Sequence, residues 1–357
     1  MMAERKLTRR EFVRDGAMAA VGIAAGLAAA TSGAGQEKKE EYRTKILSYN
    51  ENMEYRRLGK TGLMVSAISL GGHWKRLATR NDAEFDRNRR EVVAACIDHG
   101  INFVDACCSA EILAYAKALG KRRKEMYFGF SWYEWESRFP EWRSAKKLVQ
   151  VFEEGLRRAK LDYVDLWRNS ALLDGGRHTQ QELDDIIVAG EKMLKEGKTR
   201  FFGISSHDRE WLDRVVRTYP QVSVILTPYT AKSKVKPKDS IFETVKRCDV
   251  GVFGIKPFAS NSLFKGNSQD DSPTRDEDDR RARLALRYIL TNDAITAPIP
   301  GLISIRQVKN AVRAIAERRQ LDLADARTLD RDLEPVRGEM WANLSPEYQW
   351  LKEWEWV

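Results

Sequence analysis

Histidine and cysteine are scarce in this chain, four of each among 357 residues. Cys96, Cys107, Cys108 and Cys248 are too few and too unevenly spaced for a disulfide framework or a zinc site, so no metal is expected. After residue 35 no apolar run approaches the roughly 20 residues that a membrane-spanning helix needs, which excludes a polytopic membrane protein. A Gly-x-Gly-x-x-Gly turn is also missing. Gly71-Gly72-His73 has no third glycine and opens no helix, which argues against an open dinucleotide-binding sheet. Blocks of one charge sign are absent too. Lys and Arg (61) exceed Asp and Glu (52) for a net +9, but the signs interleave, as in Arg87-Asn88-Arg89-Arg90-Glu91. Mixed signs along a helix read as a solvated face, and no nucleic-acid partner is expected.

What is present is a core. Hydrophobic residues make 43% and aromatics 10% of the chain, which excludes disorder as its main state. The length permits one large α/β domain or two ordinary ones.

The first 34 residues read as an address. Thr8-Arg9-Arg10-Glu11-Phe12 precedes an apolar, small-residue run from Ala17 to Ala30, followed by Thr31-Ser32-Gly33-Ala34-Gly35. A basic start, a run of that length and small residues at its end make a secretory signal rather than a spanning helix. The arginine pair with Phe two positions on resembles a twin-arginine signal, which implies export of the folded chain to the periplasm and the export machinery as a partner. Residues 35–52 are polar and charged, and read as a linker.

From Met53 onward short apolar runs alternate with segments of helical period. The strand candidates are 66–72, 102–107, 126–131, 163–169, 200–206, 223–229, 251–258 and 294–301, with helices over 89–99, 145–159, 180–195, 209–218, 277–291 and 305–317. Gly100 and Gly197 stand where left-handed caps are wanted, and Thr274 with Glu277 has the spacing of a capping box. Strand–helix alternation repeated eight times predicts a closed (β/α)8 TIM barrel over residues 53–320, with 321–357 as a helical extension packed upon it. In such a barrel the chemistry lies where strands end.

Six tags resemble the aldo-keto reductase family. They are Met53-Glu-Tyr-Arg-Arg-Leu-Gly-Lys-Thr-Gly-Leu-Met-Val-Ser66, Ile68-Ser-Leu-Gly-Gly72, Gly100-Ile-Asn-Phe-Val-Asp105, Leu161-Asp-Tyr-Val-Asp-Leu166, Gly203-Ile-Ser-Ser-His207 and Ile299-Pro-Gly301. The resemblance implies an N-terminal hairpin closing the barrel bottom and an oxidoreductase using NADP(H), with NAD(H) as the alternative, on a small carbonyl or sugar-like substrate. Of the family's catalytic Asp, Tyr, Lys and His it retains Asp105; the other three fall at Ala110, Ser131 and Ser170. Carbonyl reduction is therefore expected to be weak or altered, with His73, His207 or Tyr115 as substitute proton donors. On the cofactor side the resemblance points to Ser205, Ser206, Tyr229, Lys256, Phe258, Gly301, Ser304 and Arg306.

Other readings stay open at this point. A catalytically silent relative could bind a ligand or partner at the same mouth, or Asp105, His73 and His207 could serve non-redox acid/base chemistry. Cys107-Cys108 reads as rim packing, with a redox pair or metal ligands as the alternative. The stretch Trp132-Tyr133-Glu134-Trp135 reads as surface cover or a sugar-stacking platform.

The address is testable without the fold. Replacing both Arg9 and Arg10 by Lys should leave the protein inside the inner membrane, as read by immunoblot of fractionated cells; unchanged export would refute the assignment.

Overall fold

The computed structural model describes residues 46–72, 74, 82–171, 178–233, 240–317, 323–346 and 349. The expected signal (1–34), most of the expected linker, His73 and the aromatic residues over 350–357 lie outside the described residues.

Seven parallel strands follow one another in sequence order: β3 (Phe103–Ala106), β4 (Tyr127–Phe130), β5 (Val164–Ser170), β6 (Thr199–Ser205), β7 (Val222–Pro228), β8 (Gly251–Ile255) and β9 (Ala297–Pro298). The eighth member closes the ring without forming a regular strand. Leu70 bridges Val104 and Gly71 bridges Gly301. On one side Leu70 N donates to Phe103 O at 2.9 Å; on the other, Ser69 N and Gly71 N donate to the carbonyls of Pro298 and Pro300. The expected strands over 66–72 and 294–301 are thus cut short. Prolines have no N–H, so only their carbonyls serve the ladder, and Ile299 N supplies the bond to Gly254 O.

Alternation sorts the side chains. One set points inward: Phe103, Tyr127, Leu166, Val224, Leu226, Phe253, Ala297 and Ile299. The other packs outward under the helices α1 (Ala83–Asp98), α2 (Ser109–Leu119), α3 (Ala145–Ala159), α4 (Gln180–Lys195), α5 (Arg209–Thr218), α6 (Ser240–Arg247), α7 (Arg275–Ile289) and α8 (Ile305–Ala316). The bounds of α3, α4 and α5 coincide with the periodicity in the sequence. A capping box does occur, at Thr179 and Glu182 of α4. At α7 the expected one is absent. Thr274 Oγ1 donates instead to Asp278 Oδ2 at 2.9 Å, because that carboxylate also collects Lys265 N and Gly266 N and draws the hydroxyl to itself.

A hairpin of β1 (Tyr55–Arg57) and β2 (Met64–Ser66) closes the bottom, and Leu58, Leu63 and Val65 join the interior cluster. Arg57 grips Asp249 through two bonds of 2.8 and 2.6 Å. Residues 46–52, expected as the end of a linker, dock on the barrel. Asn50 Nδ2 reaches Asp98 O at 3.1 Å, and Tyr49 stacks on Tyr55. The C-terminal helix α9 (Leu323–Ala342) buries Leu329, Leu333, Val336 and Met340, and Arg337 Nε bonds Ala231 O at 2.8 Å.

Gly59 carries the hairpin's fit. Its φ is +48°, and a Cβ there would stand 2.2 Å from Gly251 N. Gly59→Ala should lower the unfolding free energy by roughly 2–4 kcal/mol, combining left-handed strain with backbone displacement, and urea denaturation measures it.

Candidate active site

The inward parity that places Phe103 and Leu166 in the core carries two residues further to the mouth, to Asp105 on β3 and Arg168 on β5. There they form a bidentate pair, Nε to Oδ1 at 2.8 Å and Nη2 to Oδ2 at 2.6 Å, each residue 4% exposed. Burial disfavours the charged guanidinium, but Asp105 more than offsets this and leaves the Arg168 pKa above its ordinary value. A lone charge at this depth would cost several kcal/mol, so each partner requires the other. Arg168 was not foreseen in this role. Its signal was strand parity: an arginine two residues beyond an inward leucine must find a carboxylate.

A second buried carboxylate lies beside the pair. Glu136, in the loop after β4, accepts four bonds: from Ser131 Oγ (2.5 Å), Trp132 N (3.0 Å), Trp167 Nε1 (3.0 Å) and Ser170 N (2.8 Å). Burial pushes its pKa up, and these donors act against the shift. Ser131 and Ser170 stand where the resemblance expects a lysine and a histidine, and both are engaged in holding this carboxylate. Nothing in the local sequence distinguishes Glu136 from its neighbour Glu134, whose carboxylate instead accepts from Ser109 at the start of α2.

Of the expected donors, His207 is half-buried just beyond β6. Burial first, then the charges of Lys256 and Arg138, hold its pKa well below the ordinary value, so it is a neutral imidazole on a cationic rim. Tyr115 is corrected. Its hydroxyl donates to Gly71 O at 2.5 Å and accepts from Trp74 Nε1, fully buried in the helical layer, and burial raises its pKa. A phenol not singled out stands at the rim instead. Tyr133 N bonds Cys107 O at 3.2 Å, and burial followed by the neighbouring Cys108 pushes the phenol up to about 12. Within the aromatic stretch Trp132 is buried and stacks on Trp135 at 5.0 Å, so these two rings cover the loop.

The cofactor candidates divide. Ser205 ends β6 and pairs in register with Ser170, while Ser206 Oγ accepts from Asp208 N at 3.1 Å. Lys256 leaves β8 with φ +56°, and the left-handed residues Ala259, Ser260 and Asn261 follow, with Phe258 packed on Phe264. Gly301 bridges Gly71 so tightly that a Cβ would meet Gly72 O at 2.3 Å. Ser304 caps α8 by accepting from Gln307 N. Arg306 is held by Asp270 at 2.6 Å and by both oxygens of Asp279. Tyr229 is a correction. It has the outward parity of Ile225 and Thr227 and is 3% exposed; its ring meets Phe242 edge-on and its hydroxyl accepts from Asn292 Nδ2. Helix packing claims this ring.

Comparison with known proteins accords with this architecture. The profile described as Aldo/keto reductase family matches residues 67–283. L-Galactose dehydrogenase of Arabidopsis thaliana is 28% identical over 314 residues, 81% of this chain and 97% of that protein. L-Glyceraldehyde 3-phosphate reductase of Escherichia coli K12 is 22% identical, covering 74% of this chain and 88% of the other. Among solved structures, an aldo-keto reductase from Klebsiella pneumoniae in complex with NADPH superposes with TM-score 0.61 at 22% identity, over 78% of this chain and 94% of that one.

The buried pair makes a sharp expectation. Asp105→Asn should cost about 3–5 kcal/mol, because it strands the guanidinium, whereas the double change Asp105→Leu with Arg168→Met should recover most of that loss. Denaturant titration of the three proteins measures the difference.

Proposed function

The chain belongs to the aldo/keto reductase family, and on that premise we propose that it is a nicotinamide-dependent oxidoreductase of a small, sugar-like carbonyl substrate, slow on ordinary aldehydes. The observation that carries this reading is the rim itself, where Asp105 is spent on Arg168 while Ser131 and Ser170 hold Glu136.

The phosphate end of a dinucleotide fits the residues present. The phosphate end would meet Lys256 and Arg138, whose charges both act on His207 and suit an anion. Arg306 would meet an adenosine phosphate only by exchanging one of its two aspartates, which keeps NAD(H) beside NADP(H) as the cofactor. When bound, the cofactor supplies the hydride. The protein's task is to stabilise charge developing on the carbonyl oxygen. Arg168 is a preorganised cation at the mouth, but its Nε and Nη2 are engaged by Asp105. Tyr133 is held at a high pKa without a lysine to lower it, and His207 is neutral. Proton delivery is therefore the weak step. Absence of one positioned general acid costs on the order of 10²–10⁴ in rate.

A second reading, a silent relative that binds ligand without turnover, is favoured by one observation. Tyr229 is packed away from the mouth, which removes the aromatic face expected beside the nicotinamide. As for location, Arg9-Arg10 with Phe12 supports export by the twin-arginine route to the periplasm.

Tryptophan quenching on titration with NADPH and NADH tests the binding, and steady-state oxidation of NADPH with a panel of aldehydes, ketones and aldoses tests the chemistry. Saturable quenching is expected, with simple aldehydes turned over well below the usual range of about 1–10³ s⁻¹. Turnover inside that range would overturn the weak-reductase reading, and absence of quenching by either nucleotide would leave the silent one.

A further inference from the structure

At the mouth, where β3 passes into α2, three ligand-type side chains converge that no step above uses. The Sγ atoms of Cys107 and Cys108 and a carboxylate oxygen of Glu111 all lie within 4.8 Å of one another. We propose that Cys107, Cys108 and Glu111 form a binding site for a thiophilic metal ion of the zinc type, open toward the barrel mouth.

The local fold builds this convergence. Cys107 and Cys108 directly follow Asp105-Ala106, and Cys108 is the N-cap of α2. Glu111, three residues on, returns over the same first turn, where residues three apart share a face. Its carboxylate accepts from Cys107 N at 2.8 Å. The space it occupies exists because residue 72 is glycine: a Cβ there would fall 1.9 Å from Glu111 Cδ and 2.2 Å from both oxygens. The carboxylate is thus buried at 2% exposure, while both thiols remain half-buried.

Donor chemistry selects the ion. Two thiols with one carboxylate suit zinc, cadmium or copper(I) and do not suit magnesium or calcium, which take oxygen cages. Three protein ligands with a fourth position facing solvent is the pattern of open zinc sites. This departs from the expectation of no metal, which counted four scattered cysteines. The fold adds a glutamate to two of them. The site is independent of whether the chain reduces carbonyls.

The test uses the full chain, stripped with chelator and titrated with cobalt(II). One equivalent should bind, with a thiolate-to-cobalt charge-transfer band in the near ultraviolet and tetrahedral bands in the visible, and zinc should erase both. Replacing Cys107 and Cys108 by Ser should abolish the bands, while replacing Cys96 and Cys248 by Ser should leave them. Gly72→Ala should weaken cobalt binding at least tenfold by expelling the Glu111 carboxylate. A readout needing no variant guards against misfolding: zinc should protect Cys107 and Cys108, but not Cys248, from alkylation as mapped by peptide mass spectrometry. Cobalt bound without a thiolate band, bands that survive the Cys107/Cys108 replacement, or alkylation indifferent to zinc would each overturn the proposal.

Discussion

The mouth of this barrel is organised around one buried ion pair. Asp105 and Arg168 come from strands with β4 between them, and each ends an inward-facing column of apolar side chains. In a low-dielectric interior neither charge is tolerable alone, so the pair constrains the two strand ends relative to one another. Their neighbours follow from that constraint. Glu136 adds a second buried carboxylate beside Arg168, Cys107 stands against the same guanidinium, and Ser131 Oγ and Ser170 N donate to Glu136.

The rim therefore differs in kind from the arrangement that the family resemblance suggested. A reductase mouth needs a phenol made acidic by a nearby ammonium, and a donor aimed at the developing oxyanion. Here Arg168 is paired with Asp105, and Glu136 is held by the Ser131 hydroxyl and by the backbone N–H of Ser170. The rim phenol, Tyr133, lies under Arg138 at 4.7 Å and beside two thiols rather than beside a lysine. Lys256 and Arg138 bring positive charge to the same rim, so attraction of an anion and competence in proton transfer are separable properties of this mouth.

Periodicity made much of the fold legible. The bounds of α3, α4 and α5 could be read directly, since each is an amphipathic segment whose buried face repeats at helical spacing. Gly100 and Gly197 adopt φ of +83° and +71°, as their places after helix ends required. Where competing partners exist, local pattern was a poorer guide. Thr274 had the spacing of a cap, but Asp278 offered its hydroxyl a charged acceptor. Tyr229 had the sequence context of a cofactor residue, but the strand's alternation turned it toward Phe242 and Asn292. The first was decided by a competing acceptor one helical turn away, the second by atoms distant in sequence.

The amino-acid sequence by itself determined the barrel, the hairpin beneath it and the identity of the residues at the strand ends, because hydrophobic spacing and turn chemistry act over a few residues. It also determined which acidic and basic groups were available at the mouth. Only the tertiary structure decided their pairing: Asp105 with Arg168 across 63 residues, Glu136 with Ser170 across 34, and Glu111 with the space left by Gly72. The physical reason is that a buried charge is satisfied by whichever opposite charge or donor the fold brings within about 3 Å. That choice depends on strand order and closure, which no local run of residues encodes.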